Sequence, residues 1–292
     1  MALGVILGLA SAFVWATTSL AMKSQSEHID ALSANTFRMV VAAILFLGLL
    51  PFFGGLEALA QLSNGAKIAL TISFISGIAL GDTLYFWSMT QIGAARAMPL
   101  SSIYPLFTWA LAVPFLGEPI TLQAILGTAL VLIGVYFLTP KAQQVSQVDA
   151  RAKRIGTLAA IVAAVLWAIS TTLLKVGLQD GLNVVVINSF RMPVGALVML
   201  IMAYGRSGKK VWRGIHRGNI LNLILVGIYS TGIGMTLWTL SVEYGGAARA
   251  SLLVTLAPLI GVPLSVLFFK ERVTRMVVLG TVISIAGIWL IL

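Results

Sequence analysis

The chain contains no cysteine, and only 10% of its 292 residues are charged. The first absence excludes disulfides, thiolate catalysis and Cys-ligated metal centres. Its two histidines, His28 and His216, lie in separate gaps and form no cluster, so no metal site and no cofactor is expected. The scarcity of charge excludes more. A soluble domain carries about 25% charged residues to cover its water-facing surface. Here 59% of residues are apolar and the mean hydropathy is +1.00. A soluble fold of this composition would expose apolar patches well above the few hundred Å² that a monomer tolerates. Soluble enzymes, disordered chains and nucleic-acid binders are thereby excluded. The net charge of +10 does not reopen the last class, because most Lys and Arg sit in short gaps between apolar runs.

What is present is a series of apolar runs. A membrane-crossing helix needs roughly 20 mostly apolar residues. Ten segments qualify: 4–22, 34–53, 68–90, 98–116, 122–139, 156–174, 184–204, 219–240, 247–268 and 274–292. Transmembrane β-strands would be shorter and would alternate in polarity, which these runs do not. The first run lacks a basic flank and a small-residue cleavage pattern before Lys23, so it is read as a retained helix.

A shift of about 152 residues superimposes the two halves. Gly4, Trp15 and Lys23 fall on Gly156, Trp167 and Lys175. Asn35, Phe37, Arg38 and Met39 fall on Asn188, Phe190, Arg191 and Met192. Gly81 and Trp87 pair with Gly232 and Trp238, and Ala94-Ala95-Arg96-Ala97 pairs with Ala247-Ala248-Arg249-Ala250. Pro105, Glu118, Gly127 and Gly134 match Pro258, Glu271, Gly280 and Gly287. Chance similarity between apolar helices does not align Trp, Arg, Pro and Glu in order. Five segments per repeat is an odd number, so the second repeat must enter the membrane from the opposite side. The expected fold class is an all-α integral membrane protein: ten transmembrane helices in two inverted five-helix repeats around a central cavity. Its parts are residues 1–139, a basic linker 140–155, and residues 156–292.

Basic residues found in only one repeat report orientation. Gap 54–67 holds Lys67 alone, whereas gap 205–218 holds Arg206, Lys209, Lys210, Arg213 and Arg217. Lys270, Arg272 and Arg275 have no counterparts, and the linker adds Lys141, Arg151, Lys153 and Arg154. Twelve basic residues on one face against one on the other predict a cytoplasmic linker and external termini in a bacterial inner membrane.

The duplicated order of Trp in segments 1 and 6, Asn-x-Phe-Arg opening 2 and 7, Ala-Ala-Arg-Ala before 4 and 9, and Glu118 and Glu271 after them resembles the EamA-type branch of the drug/metabolite transporter superfamily. That resemblance covers nearly the whole chain. It implies a transporter of small metabolites, often an exporter of amino acids, with helices 1, 3, 4, 6, 8 and 9 around its cavity.

From the residues themselves, a midplane site should draw on polar and aromatic side chains of matched helices. Trp15, Thr18 and Ser19 share a face of the first segment, and Trp167, Ser170 and Thr171 share one of the sixth. Asp82, Tyr85 and Phe86 in the third, Ser101 and Tyr104 in the fourth, Tyr229 and Thr236 in the eighth, and Ser251 and Thr255 in the ninth complete the set. Each also has a plain reading as packing, as an interfacial anchor or as a hydroxyl bonded to its own helix. Trp212 and Trp289 read as interfacial.

Asp82 is the only acid deep in a span, with Ile233 as its repeat mate. An ionised carboxylate there costs several kcal/mol unless it is paired or hydrated. It reads as a proton-coupling site or a partner for a substrate ammonium, as half of a salt bridge to Arg38, or as a neutral hydrogen-bonded acid. Arg38 and Arg191, each about one turn inside a span, read as structural residues that snorkel to the interface, with a gating contact as the alternative. Glu118 and Glu271 read as caps at helix turns. Gly4/Gly8 and Gly77/Gly81 should permit close helix approach. Gly127/Gly134 and Gly280/Gly287 should pack segment 5 on segment 10, a dimer seam being the alternative. Pro99, Pro105 and Pro114, with Pro258 and Pro263, make segments 4 and 9 the expected gates.

The expected partners are a small-molecule substrate and the lipid bilayer, with no nucleic acid, in a monomer or homodimer. A membrane enzyme would need convergent acids or histidines in the spans. ATP-driven pumping would need a Walker A sequence, which is absent. The leading expectation is a non-enzymatic exporter of neutral or zwitterionic metabolites, amino acids including aromatic ones. Efflux of lipophilic drugs and a membrane-embedded metabolite sensor are the alternatives.

Overall fold

The structure is a computed structural model that describes residues 2–23, 31–138, 150–208, 212, 215, 217–257, 259–260, 264 and 275–291. Among the described residues every regular element is helical. Six stretches are long and apolar enough to cross a membrane: Leu32–Phe53, Asn64–Ile92, Arg96–Leu116, Ala150–Gly177, Val184–Arg206 and Asn219–Gly245. Ala2–Thr18, Leu122–Phe137 and Val278–Leu290 are shorter apolar helices.

In chain order α1 is Ala2–Lys23 and α2 is Ala31–Leu49, after which comes a short helix, Gly55–Ala60. The third element, α3, runs from Asn64 to Ile92, capped by Ser63, whose hydroxyl accepts from the Ala66 amide at 3.1 Å. Next, α4 begins after Gly93 as Ala94–Ser101, breaks at Ser102–Ile103, and resumes as Tyr104–Leu116 with Pro105 in its first turn. Then α5 is Leu122–Leu138 and α6 is Ala150–Gly177, whose Ala-Arg-Ala-Lys-Arg start is strongly helix-forming. This takes residues 150–155 out of the expected linker and into the helix. Asn183 caps α7, Val184–Ser207. Finally α8 is Arg217–Gly245, α9 is Ala247–Val254, and α10 is Arg275–Ile291.

The contacts keep their pattern when each element is exchanged for the one five places on. Helix α1 packs on α8 and α9, as α6 packs on α3 and α4; α2 packs on α8, as α7 packs on α3. The self-paired contacts are α2 with α7, α4 with α9, and α5 with α10. The last is extensive: Gly134 meets Ser284 and Gly280, while Gly287 meets the Gly127 carbonyl and Val131. Helix α10 therefore fills the glycine groove of α5. The same contacts show α5 and α10 to be antiparallel. So are α2 and α7, because Ser189 donates to the Phe46 carbonyl at 2.9 Å while Val186 clusters with Leu50.

One register differs from the sequence pairing. Ser88 donates to the Gly156 carbonyl and Ser241 to the Gly4 carbonyl, both at 2.8 Å. A Cβ at Gly81 would lie 2.8 Å from the Trp167 ring, and one at Gly234 would lie 2.8 Å from the Trp15 ring. Gly81 thus corresponds to Gly234 rather than Gly232, Tyr85 to Trp238, and Asp82 to Met235 rather than Ile233. The backbone contact at the helix crossing, not residue identity, fixes the match. Within α3 and α8, Ile75–Asp82 and Gly227–Gly234 are wide π-helical turns that present these glycines to the two tryptophans.

Candidate functional site

The candidate residues gather into two aromatic clusters. In the first, Trp167 donates its indole N–H to Asp82 Oδ1 at 2.8 Å. The Tyr85 and Tyr104 rings lie 5.2 and 5.8 Å from that of Trp167, spacings at which ring pairs attract. Tyr85 faces Ser101, and the Tyr104 hydroxyl donates to the Ser251 carbonyl at 2.6 Å, tying α4 to α9. One turn along α6, Ser170 and Ser73 exchange hydrogen bonds, hydroxyl to carbonyl, at 2.6 and 2.7 Å. Gly77 packs directly on Ser170. Glycine at 77 and 81 is what lets α3 lie this close to α6.

The second cluster lies between α1 and α8. Trp15 donates to the Ser230 carbonyl at 3.4 Å and packs tilted against Trp238, ring centroids 5.8 Å apart. Thr17 and Tyr229 bond at 3.0 Å, and Ser11 donates to the Gly234 carbonyl at 3.1 Å. No acid occupies the place equivalent to Asp82, so the two clusters are alike in shape and unlike in charge.

Several candidates are engaged with their own helices. The Thr18, Thr171 and Thr236 hydroxyls bond carbonyls one turn back, and those of Ser251 and Thr255 bond three residues back. Phe86 is 50% exposed and touches the cluster only through Tyr85. The Ser19 side chain, Glu271, Pro258 and Pro263 lie outside the described residues. Trp289 is 75% exposed on α10, and Trp212 bonds the Tyr204 hydroxyl at 2.7 Å.

Asp82 bonds Trp167, whereas Arg38 Nη2 bonds Asn35 Oδ1 at 2.9 Å; a salt bridge from Asp82 to Arg38, one of the three readings of this acid, is not formed. Nor does Arg191 reach an interface. It is 2% exposed, and its Nε and Nη1 have no partner among the described residues. Packing on both sides of α7 closes the route that a snorkelling side chain would need. Glu118 does act as a cap, but of another helix: its carboxylate accepts from the Ala247 and Ala248 amides at 2.6 and 3.1 Å, at the start of α9. The candidates read from the sequence left out Trp238 and the smaller residues Ser11, Thr17, Ser73 and Ser230. For Trp238, its recurrence as a landmark of the repeat was the available signal.

These features define a polytopic helical membrane protein with a polar, aromatic-lined centre. Residues 2–139 and 154–292 each match the EamA-like transporter family, and the chain belongs to that family. It is therefore a membrane transporter of the drug/metabolite transporter type. It is 24% identical over 291 residues to an uncharacterized transporter of Archaeoglobus fulgidus, covering 99% of this chain and 98% of the relative. An uncharacterized transporter of Bacillus subtilis, YoaV, is 23% identical over 288 residues, covering 98% and 96%. A crystal structure shares the fold with a TM-score of 0.81 at 18% identity, covering 99% of this chain and 95% of the other.

Proposed function

We propose that the chain is a secondary transporter that exports small neutral or zwitterionic metabolites, foremost amino acids including aromatic ones, by alternating access between two inverted five-helix repeats. The observation that carries this reading is the pair of matched clusters around Trp15 and Trp167, only one of which holds an acid. Aromatic walls suit an apolar or planar side chain, and Asp82 suits an ammonium or a transported proton. The exchange pattern of the helix contacts, and the antiparallel course of α2 with α7 and of α5 with α10, favour inverted repeats and ten spans. The breaks at Ser102–Ile103 in α4 and after Val254 in α9 are natural hinges beside the clusters.

The chain acts in a bacterial inner membrane, as a monomer or homodimer, with external termini and the linker inside. The test is uptake of labelled amino acids into proteoliposomes, with and without an imposed pH gradient, against empty liposomes. Saturable uptake is the expected result, and its acceleration by the gradient marks proton coupling. Folded protein that gives no flux with any amino acid overturns the substrate assignment.

A further inference from the structure

Asn and Arg recur three residues apart in α2 and α7, but the two pairs are in different states. In α2 the two side chains bond each other, Arg38 Nη2 donating to Asn35 Oδ1, and only Arg38 Nε is left buried without a partner among the described residues. In α7 it is open. Asn188 is 0% exposed; its Oδ1 lies 3.4 Å from the Thr239 hydroxyl, which bonds the Met235 carbonyl at 2.7 Å, and its Nδ2 has no acceptor among the described residues. Arg191 Nε and Nη1 are likewise buried and have no partner among the described residues. Three donor nitrogens, from two side chains three residues apart on one helical face, therefore lie buried with no acceptor among the described residues. The described acids are engaged elsewhere or stand at helix ends. Asp82 is bonded to Trp167, Asp180 to Ser63 and Glu118 to α9, while Glu57 and Glu243 lie near helix termini.

An unpaired guanidinium inside a membrane protein is costly, and the cost is relieved when an anion arrives. The donors select its kind. One planar guanidinium fork plus an amide N–H matches the two oxygens of a single carboxylate and balances one negative charge. A phosphate carries more charge than one arginine offsets. Thr239 follows Trp238, which packs against Trp15, so the open donors stand at the height of the second aromatic cluster.

We propose that Asn188 and Arg191 form the subsite for the carboxylate of the transported molecule. This rests on the reading of the chain as a carrier of amino-acid-like substrates. It is tested on the purified full-length protein in detergent, by following thermal unfolding in rising sodium acetate or isovalerate against sodium chloride at equal ionic strength. The carboxylates should give a saturable rise in Tm that chloride does not. Arg191→Gln should weaken the half-saturating concentration at least tenfold, whereas Arg96→Gln, at an exposed arginine, should leave it unchanged. Asn188→Asp places a carboxylate one turn from the guanidinium. It should raise Tm without ligand and abolish the response. Should Arg191→Gln not fold, Asn188→Asp decides alone. Chloride acting as well as acetate, Arg191→Gln keeping the wild-type midpoint, or Asn188→Asp still responding would each overturn the subsite. A carboxylate response in a protein that carries no amino acid would retain the subsite and remove the amino-acid reading instead.

Discussion

At the scale of single residues, the centre of the molecule is organised by what each buried polar group has found to bond. Asp82 was legible as the one acid deep in a span, but its partner was not, because no sequence spacing links α3 to α6. The indole N–H of Trp167 separates two roles that substitution can resolve. Asn at position 82 can still accept from Trp167 but cannot carry a proton. Asp82→Asn should therefore fold, with a Tm close to wild type, and take up substrate no faster with a pH gradient than without one. Gradient acceleration surviving in that variant would remove proton coupling through Asp82. Asp82→Leu leaves the indole N–H buried and unpaired, which costs about 1–3 kcal/mol and should appear as a lower Tm. Arg191 teaches the converse. Its place one turn inside a span suggested an interfacial head group. The burial of α7 against α2 and α3 decided otherwise, and periodicity on a single helix does not show what its neighbours cover.

At the scale of elements, the helices themselves were largely readable, since long apolar runs between capping residues leave few alternatives. The wide turns at Ile75–Asp82 and Gly227–Gly234 were not readable, because π-helical turns are rare insertions into an α-helix and the apolar pattern of the run does not mark them. Gly81 and Gly234 are the contact points. Gly81→Leu should push α3 away from Trp167 and break the Asp82 bond. The outcome to look for is loss of transport together with a fall in Tm, whereas Gly205→Leu, with open space around it, should behave as wild type. Glu118 makes a second prediction at this scale. It fills two free amides at the start of α9, and loss of such a cap costs about 0.5–2 kcal/mol. Glu118→Ala should lower Tm more than Glu118→Gln, which keeps one acceptor. Equal effects would mean that the contact contributes charge alone.

At the scale of the whole molecule, contacts between helix ends sort those ends onto two faces. Ser63, before α3, donates its amide to Asp180, after α6, at 2.8 Å. Glu118, after α4, caps α9, and Lys175 near the end of α6 donates to the Glu243 carbonyl near the end of α8. These contacts put the ends of α2, α4, α6 and α8 on one face. Elements of even number therefore finish together although they come from both halves, which agrees with the proposed pair of inverted five-helix repeats. That face carries few basic residues, while Arg206, Arg217, Arg275 and the residues 151–154 at the start of α6 belong to the other. On the proposed reading, the positive-inside rule puts the basic face in the cytoplasm. Because the chain has no cysteine, single cysteines report side without background. In intact bacteria a membrane-impermeant maleimide should label Thr121→Cys and Asp180→Cys, and should reach Arg151→Cys only after the membrane is opened. Labelling of Arg151→Cys in intact cells would invert the molecule and reverse the direction of every step argued for it. Labelling of Thr121→Cys but not Asp180→Cys would separate two loops that an inverted pair of repeats must hold together.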